Sequence, residues 1–318
     1  MFSDWRVRAL CAALAASCLT PSCGRAPTSN ESAPPAAPAE SPTAVVEKWR
    51  AKHEADYRHD FVTIAGLHPL KAGPNTAGSG KTNDVVLPAS TPKTLGRFVL
   101  NDQSVRFEPA PGARVLLKDQ PVSGPIDLRD DRASGADELV VGDVRLVIHV
   151  SGDARSIRVR DPNGPLAKGF LGFTWFDIDP QYRVTGRFMR DAQPQKLKVL
   201  NTYGQIDEYN TEGVVEFTLF GHTLRLRPFT TRPKRFYFVF RDASSGKETY
   251  EAARFLYADL LDDGTTVLDF NQAYNPPCAF NQYTTCPIPL RENNLPIKVL
   301  AGEKAYPEHV ALPGLPAR

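Results

Sequence analysis

Cys278 and Cys286 stand with seven residues between them in the stretch Val267 to Lys304, VLDFNQAYNPPCAFNQYTTCPIPLRENNLPIKVLAGEK, which holds five of the 28 prolines. A thiol pair at this spacing can close a disulfide, share a metal ion or supply a nucleophile. A metal site needs two further soft ligands, and no histidine lies within twenty residues of either cysteine. A nucleophile needs a partner base such as His68, distant in sequence. Outside the cytoplasm the pair most simply forms a disulfide, worth roughly 2.5 kcal/mol for so short a loop.

The same region and its approach carry Tyr250, Arg254, Asp269, Asn271, Tyr274, Asn275, Arg291, Glu292, Asn293, Glu303 and Lys304. Two readings fit these groups. In one they pair the backbone of an irregular loop, with Arg254 bonded to Asp269 or Glu292. In the other they floor a pocket walled by Phe255, Phe270, Tyr274 and Phe280. Arg254 then orients an anionic ligand, while Asp269, Glu292 and His68 are the acid/base candidates. The ligand-binding candidates are Tyr250, Arg254, Asn271, Tyr274, Asn275, Asn293 and Lys304. No P-loop, GxSxG elbow or HExxH occurs. No metal or cofactor is expected.

The elements that must position these groups read as mainly β. Short alternating runs such as DVVLP, GRFVL, SVRFEP, LVVGDVRLVIHV and SIRVR recur at spacings of about 8 to 12 residues, the signal of a sandwich. They place an N-terminal helix and β-sandwich over 45–161 and a C-terminal antiparallel β half over 162–305, closed by the long Pro-rich loop. A tail fills 306–318. AVVEKWRAKHEADYRHD predicts a short helix at the edge of the body. VVEFTLF and TLRLRPF predict a hairpin about Gly221-His222, and the continuous FYFVF a strand buried on both faces. GKETYEAARFLYADLL fits either strand or short helix. Phe170, Phe173, Trp175, Phe176 and Tyr182 read as core and domain junction, with a ligand-stacking wall as the alternative.

With 38 basic and 36 acidic residues and no basic block interleaved with aromatics, nucleic acid is not an expected partner. Arg6, Arg8 and the apolar run Ala9 to Leu19 form a signal-like segment too short to span a bilayer. It ends in Thr20-Pro21-Ser22-Cys23-Gly24, which resembles a lipobox with Leu19 one place early; Ala16-Ser17-Cys18 is a second candidate. Residues 24–44 are a Pro/Ala/Ser tether. The layout is that of an exported, periplasm-facing lipoprotein joined to the membrane by a lipid on Cys23 only, or a secreted protein if not lipidated.

Two resemblances add to this. The order of features over 62–161 has a forkhead-associated shape, but the phosphate-reading residues of that family do not line up, so no phosphopeptide reading follows. DASSGKETYEAARFL with LDFNQAYNPPCAFNQYTTCPIPLRENNLPIKVLAGEK, and the upstream GLHPLKAGPNTAGS, resemble the bacterial family called domain of unknown function 1684, with Pro69 where that family has Trp. The resemblance implies no activity. The expectation is an envelope protein binding a small ligand or a protein partner at the Pro-rich loop. The alternative is a hydrolase-like enzyme using Asp269, Glu292 and His68.

Overall fold

Ser41 opens the first element. Its hydroxyl accepts the Ala44 N–H at 3.2 Å, and Pro42 occupies the first turn, where its missing N–H costs nothing. The resulting helix, α1 (Pro42–Asp60), begins two residues before the expected start. In this computed structural model residues 40–308 are described; the signal-like segment, Cys23 and most of the tether lie outside the described residues. Lys52–Asp56 and Glu54–Arg58 pairs one turn apart line the solvent face of α1, while Val46, His53 and Tyr57 are buried. The helix is bound to the body more firmly than an edge element. Arg50 donates to the carbonyls of Asn271 and Phe176, each at 3.0 Å.

The sandwich is built from eleven strands. They are β1 (Ile64–Pro69), β2 (Gly73–Gly78), β3 (Val85–Val86), β4 (Gly96–Asn101), β5 (Ser104–Pro109), β6 (Leu116–Leu117), β7 (Gln120–Pro121), β8 (Ile126–Leu128), β9 (Glu138–Val141), β10 (Val144–Ser151) and β11 (Ala154–Arg160). One sheet runs β1-β11-β10-β9-β6-β7, the other β3-β2-β4-β5-β8. All pairs are antiparallel except β2 with β3. Period-two alternation sends Phe98, Phe107, Leu139, Leu146, Ile148, Ile157 and Val159 inward to a single apolar core between the sheets.

The C-terminal half has β12 (Arg183–Leu200), β13 (Ile206–Leu219), β14 (His222–Leu226), β15 (Phe229–Arg232), β16 (Arg235–Phe240), β17 (Arg254–Asp259) and β18 (Thr265–Asp269). They form a four-stranded sheet, β14-β13-β12-β18, and a three-stranded sheet, β15-β16-β17. The expected hairpin is present. Leu219 faces His222 across Phe220-Gly221, whose φ values of 49° and 79° give the turn that matches strand twist. The FYFVF segment is the central strand β16. Phe236, Phe238 and Phe240 enter the core against β13 and β18, while Tyr237 and Val239 pack with Tyr274 and the cysteines. The strand-or-helix ambiguity resolves as strand β17. Phe170, Phe173 and Trp175 join α1 and Phe280 in an aromatic cluster, which is the core-and-junction reading.

The Pro-rich loop after β18 closes this half and also reaches the sandwich. Asn281 donates to the carbonyls of Phe61 and Ile64, each at 2.9 Å. Gly302 is held at φ 79° so close to the Ala273 carbonyl oxygen that an added Cβ would lie 2.2 Å from it. Only glycine tolerates both conditions.

Candidate functional site

Inside the loop the polar groups bond mainly to one another and to backbone. Arg254 is fully buried, and its Nη1 donates to Asp242 at 2.9 Å and to the Val299 carbonyl at 2.8 Å; Nη2 donates to the Ala301 carbonyl. Its partner is therefore Asp242 rather than Asp269 or Glu292. Asn275 gives its N–H and its amide to the two carboxyl oxygens of Glu303, at 2.9 and 2.8 Å. Burial pushes the Glu303 carboxyl up to about 8, against those two hydrogen bonds and the nearby Arg254 charge. Asn293 accepts from the Arg227 N–H and donates to the Arg227 and Val239 carbonyls. Asn271 spans Asp179 N–H and C=O. Tyr250 donates to the Cys278 carbonyl at 3.3 Å, Tyr274 lies in the aromatic core, and Lys304 stands 5.1 Å over the Phe176 ring. These side chains are struts rather than a pocket floor.

The acid/base candidates do not assemble. Asp269 ends β18, where it accepts from Arg183 at 3.3 Å and caps Asn271. Glu292 is exposed at the surface and bonds to Arg227 at 2.6 Å. His68 belongs to β1 in the sandwich, opposite Ile157, with its pKa lowered by burial. Each sits on a different element with its own surroundings.

Cys278 and Cys286 are free and buried, so the expected cross-link is not formed. Burial, and then the adjacent Cys286, push the Cys278 thiol well above its ordinary value. A thiol so held stays protonated and is a poor nucleophile. Among the described residues no group of three or more His, Cys, Asp or Glu is placed to hold a metal ion, and no helix is long and apolar enough to cross a membrane.

A different site appears where the loop meets the sandwich and the far end of the β12–β13 hairpin. Asn201 donates to Ser151 at 2.7 Å and to Asp207 at 2.8 Å, and Asp207 accepts the Gly152 N–H at 2.8 Å. This joint frames a cleft of about 650 Å3, lined by Arg132, His149, Lys198, Glu208, Tyr209 and Thr285 among others. At its wall His149 Nδ1 lies 2.5 Å from Asp131 Oδ2, and His149 Nε2 lies 3.1 Å from Thr285 Oγ1. Asp131 is fixed in turn by the Val150 N–H at 3.1 Å and by Arg158 at 3.2 Å. Burial alone would raise the Asp131 pKa; the His149 bond and charge, the Val150 N–H and the Arg158 charge together hold it below the ordinary value.

Reading the sequence missed Asp131, His149 and Thr285. The available signal was the polar His149 inside the otherwise apolar run LVIHV, but nothing in spacing joins it to Thr285, 136 residues later.

Residues 168–304 match the profile of the family described as Protein of unknown function (DUF1684). The C-terminal part of the chain thus carries a DUF1684 region. Among solved structures it resembles an uncharacterised protein of Haloarcula marismortui determined by solution NMR, at 31% identity. That likeness covers 47% of this chain and 85% of the other, with a TM-score of 0.39. A second likeness, at 17% identity and TM-score 0.21, is to a structure titled for phosphothreonine-dependent FHA domain interactions; it covers 30% of this chain and 93% of that one. No curated protein matches significantly. Thr285 falls within the DUF1684 match, whereas Asp131 and His149 precede it.

Proposed function

We propose that this protein is an envelope protein that binds a small anionic molecule in the cleft between the Pro-rich loop and the sandwich. The observation that carries the reading is Lys198. It lines the cleft and, among the described residues, has no carboxylate within ion-pair distance, while Arg132 is held by Asp130 and Asp207 is spent on Gly152 and Asn201. Lys198, with no ion pair of its own, stands in the cleft with His149, Tyr209 and Thr285 and with the carboxylates of Asp153 and Glu208, and offers an anion a charge beside hydrogen-bonding groups. The volume is that of a small-molecule site. The loop supports this by presenting Thr285, its interior polar groups being occupied among themselves.

Export by residues 1–23 and lipidation at Cys23 complete the proposal, and both lie outside the described residues. Titration of isotope-labelled protein with succinate, a small dicarboxylate, tests the site. The expected result is saturable shifts at Lys198, Tyr209 and Thr285 that Lys198→Gln weakens. Shifts confined to other surfaces, or none at millimolar succinate, would remove the reading.

A further inference from the structure

We propose that Thr285, His149 and Asp131 form a nucleophilic relay that hydrolyses a small anionic carboxylic ester through an acyl-Thr285 intermediate. The proposal rests on the cleft being a ligand site, and adds to it a reaction and a substrate class.

With His149 in its neutral form, hydrogen-bond bookkeeping sets the direction of the relay. Asp131 accepts from the Val150 N–H and from Arg158, and its pKa is held low, so it is an ionised, acceptor-only group. The bond to His149 Nδ1 must then be donated by the imidazole. In the neutral ring Nε2 is left as the acceptor, and its partner is the Thr285 hydroxyl, which therefore donates. A hydroxyl donating to an imidazole whose other nitrogen is held by a half-buried carboxylate is the arrangement that activates an alcohol for attack.

The parts are held in place before any substrate arrives. Thr284 Oγ1 donates to the Asn281 carbonyl at 2.9 Å, and the Cys286 N–H donates to Thr202 Oγ1 at 3.1 Å, so the backbone on both sides of Thr285 is pinned. The β-branch of threonine restricts its own χ1. Asp131 is anchored through its own N–H, which donates to the Ile148 carbonyl at 2.9 Å. Asp131 is thus a positioning residue for His149. Lys198 faces the same cleft and would hold a carboxylate elsewhere on the ester.

The reaction balances with water as the only co-reactant. Thr285 Oγ1 attacks the ester carbonyl carbon while its proton passes to His149 Nε2. The tetrahedral adduct collapses, breaking the acyl–alkoxy C–O bond, and the leaving alkoxide takes the proton from Nε2. Water then adds to the acyl-Thr285 carbonyl, giving a proton to Nε2. Cleavage of the acyl–Oγ1 bond releases the carboxylic acid, and Nε2 returns the proton to Thr285. Ester plus water gives acid plus alcohol.

The test uses the full chain with 4-nitrophenyl hydrogen succinate and, as the uncharged comparison, 4-nitrophenyl acetate. Wild type should release nitrophenolate from the succinate ester, and acid-quenched protein should carry a succinyl group on Thr285 by peptide mass spectrometry. Thr285→Ala should lose ~100-fold or more of the rate, as should His149→Gln at unchanged melting temperature, the scale of a lost base or nucleophile. Thr285→Ser should retain activity. Lys198→Gln should raise KM for the succinate ester several-fold more than for the acetate ester. If His149→Gln does not fold, Thr285→Ala alone decides. A wild-type rate equal to that of Thr285→Ala with both esters, or an acyl group on another residue, overturns the relay. Succinate titration of Thr285→Ala separates the two readings. Succinate binding with no Thr285-dependent turnover sinks the relay alone, and Thr285-dependent turnover without succinate binding sinks only the anion site.

Discussion

The Arg254 guanidinium and the Asp242 carboxylate meet at 2.9 Å with neither side chain exposed to solvent. Asp242 Oδ1 also accepts the N–H groups of Ser244 and Val299, at 2.8 and 3.1 Å, so the pair ties the turn after β16 to the end of the Pro-rich loop. The buried charges are tolerated because carbonyl and amide groups complete their coordination. Arg254→Met should cost about 3–5 kcal/mol by leaving Asp242 charged and unpaired. Arg254→Lys should not restore it, since one ammonium cannot reproduce the planar fork that reaches Asp242, Val299 and Ala301. Urea unfolding of the variants checks this. A loss of less than about 1 kcal/mol in Arg254→Met would show that the pair is not structural.

Glu303 and His53 give the protein a pH dependence with opposite signs. The Glu303 carboxyl rises from 4.5 to about 8 through burial, so the folded state binds a proton that the unfolded state has released. That contribution is fully present below pH 4.5 and is lost as pH rises through about 8. Burial depresses His53 from 6.5 to about 4, so its contribution is present above 6.5 and is lost as pH falls through about 4. Between pH 6.5 and about 8 the carboxyl acts without the histidine. Unfolding free energy should fall across that window in wild type, and the fall should diminish in Glu303→Gln. Equal slopes for the two proteins would refute the assignment.

The two loop cysteines should behave as protected thiols. Cys278 and Cys286 are 0% and 2% exposed. Iodoacetamide should leave both unmodified in the native protein and modify both in guanidinium without added reductant, as read from their peptides by mass spectrometry. A requirement for reductant before modification would mean that the mature protein carries the disulfide after all.

Asn281 is the strut between the loop and the start of the sandwich. Removing its amide in Asn281→Ala strips the buried Ile64 carbonyl and the half-buried Phe61 carbonyl of a donor and should cost about 1–3 kcal/mol. The cost should fall on the joint, with faster amide exchange at Tyr283 and Thr284 than in the strands of the sandwich. Uniform exchange across the chain would contradict this.

Local pattern was enough for the β class, the sandwich, the hairpin at Gly221 and the buried strand Phe236–Phe240. Each depends on side-chain alternation and turn residues only a few positions apart, and those preferences act before distant chain segments meet. The sequence by itself also marked the Pro-rich loop as an ordered closing element and carried its family signature. Tertiary structure decided what the polar groups in that loop do. Asp269, Glu292 and Arg254 are equally chemical as residue types, and only burial and neighbours assign them to Arg183, Arg227 and Asp242. The same holds for the cleft. Thr285 becomes a donor to His149 because a loop and a strand from different halves are packed together, and no spacing rule spans the residues between them.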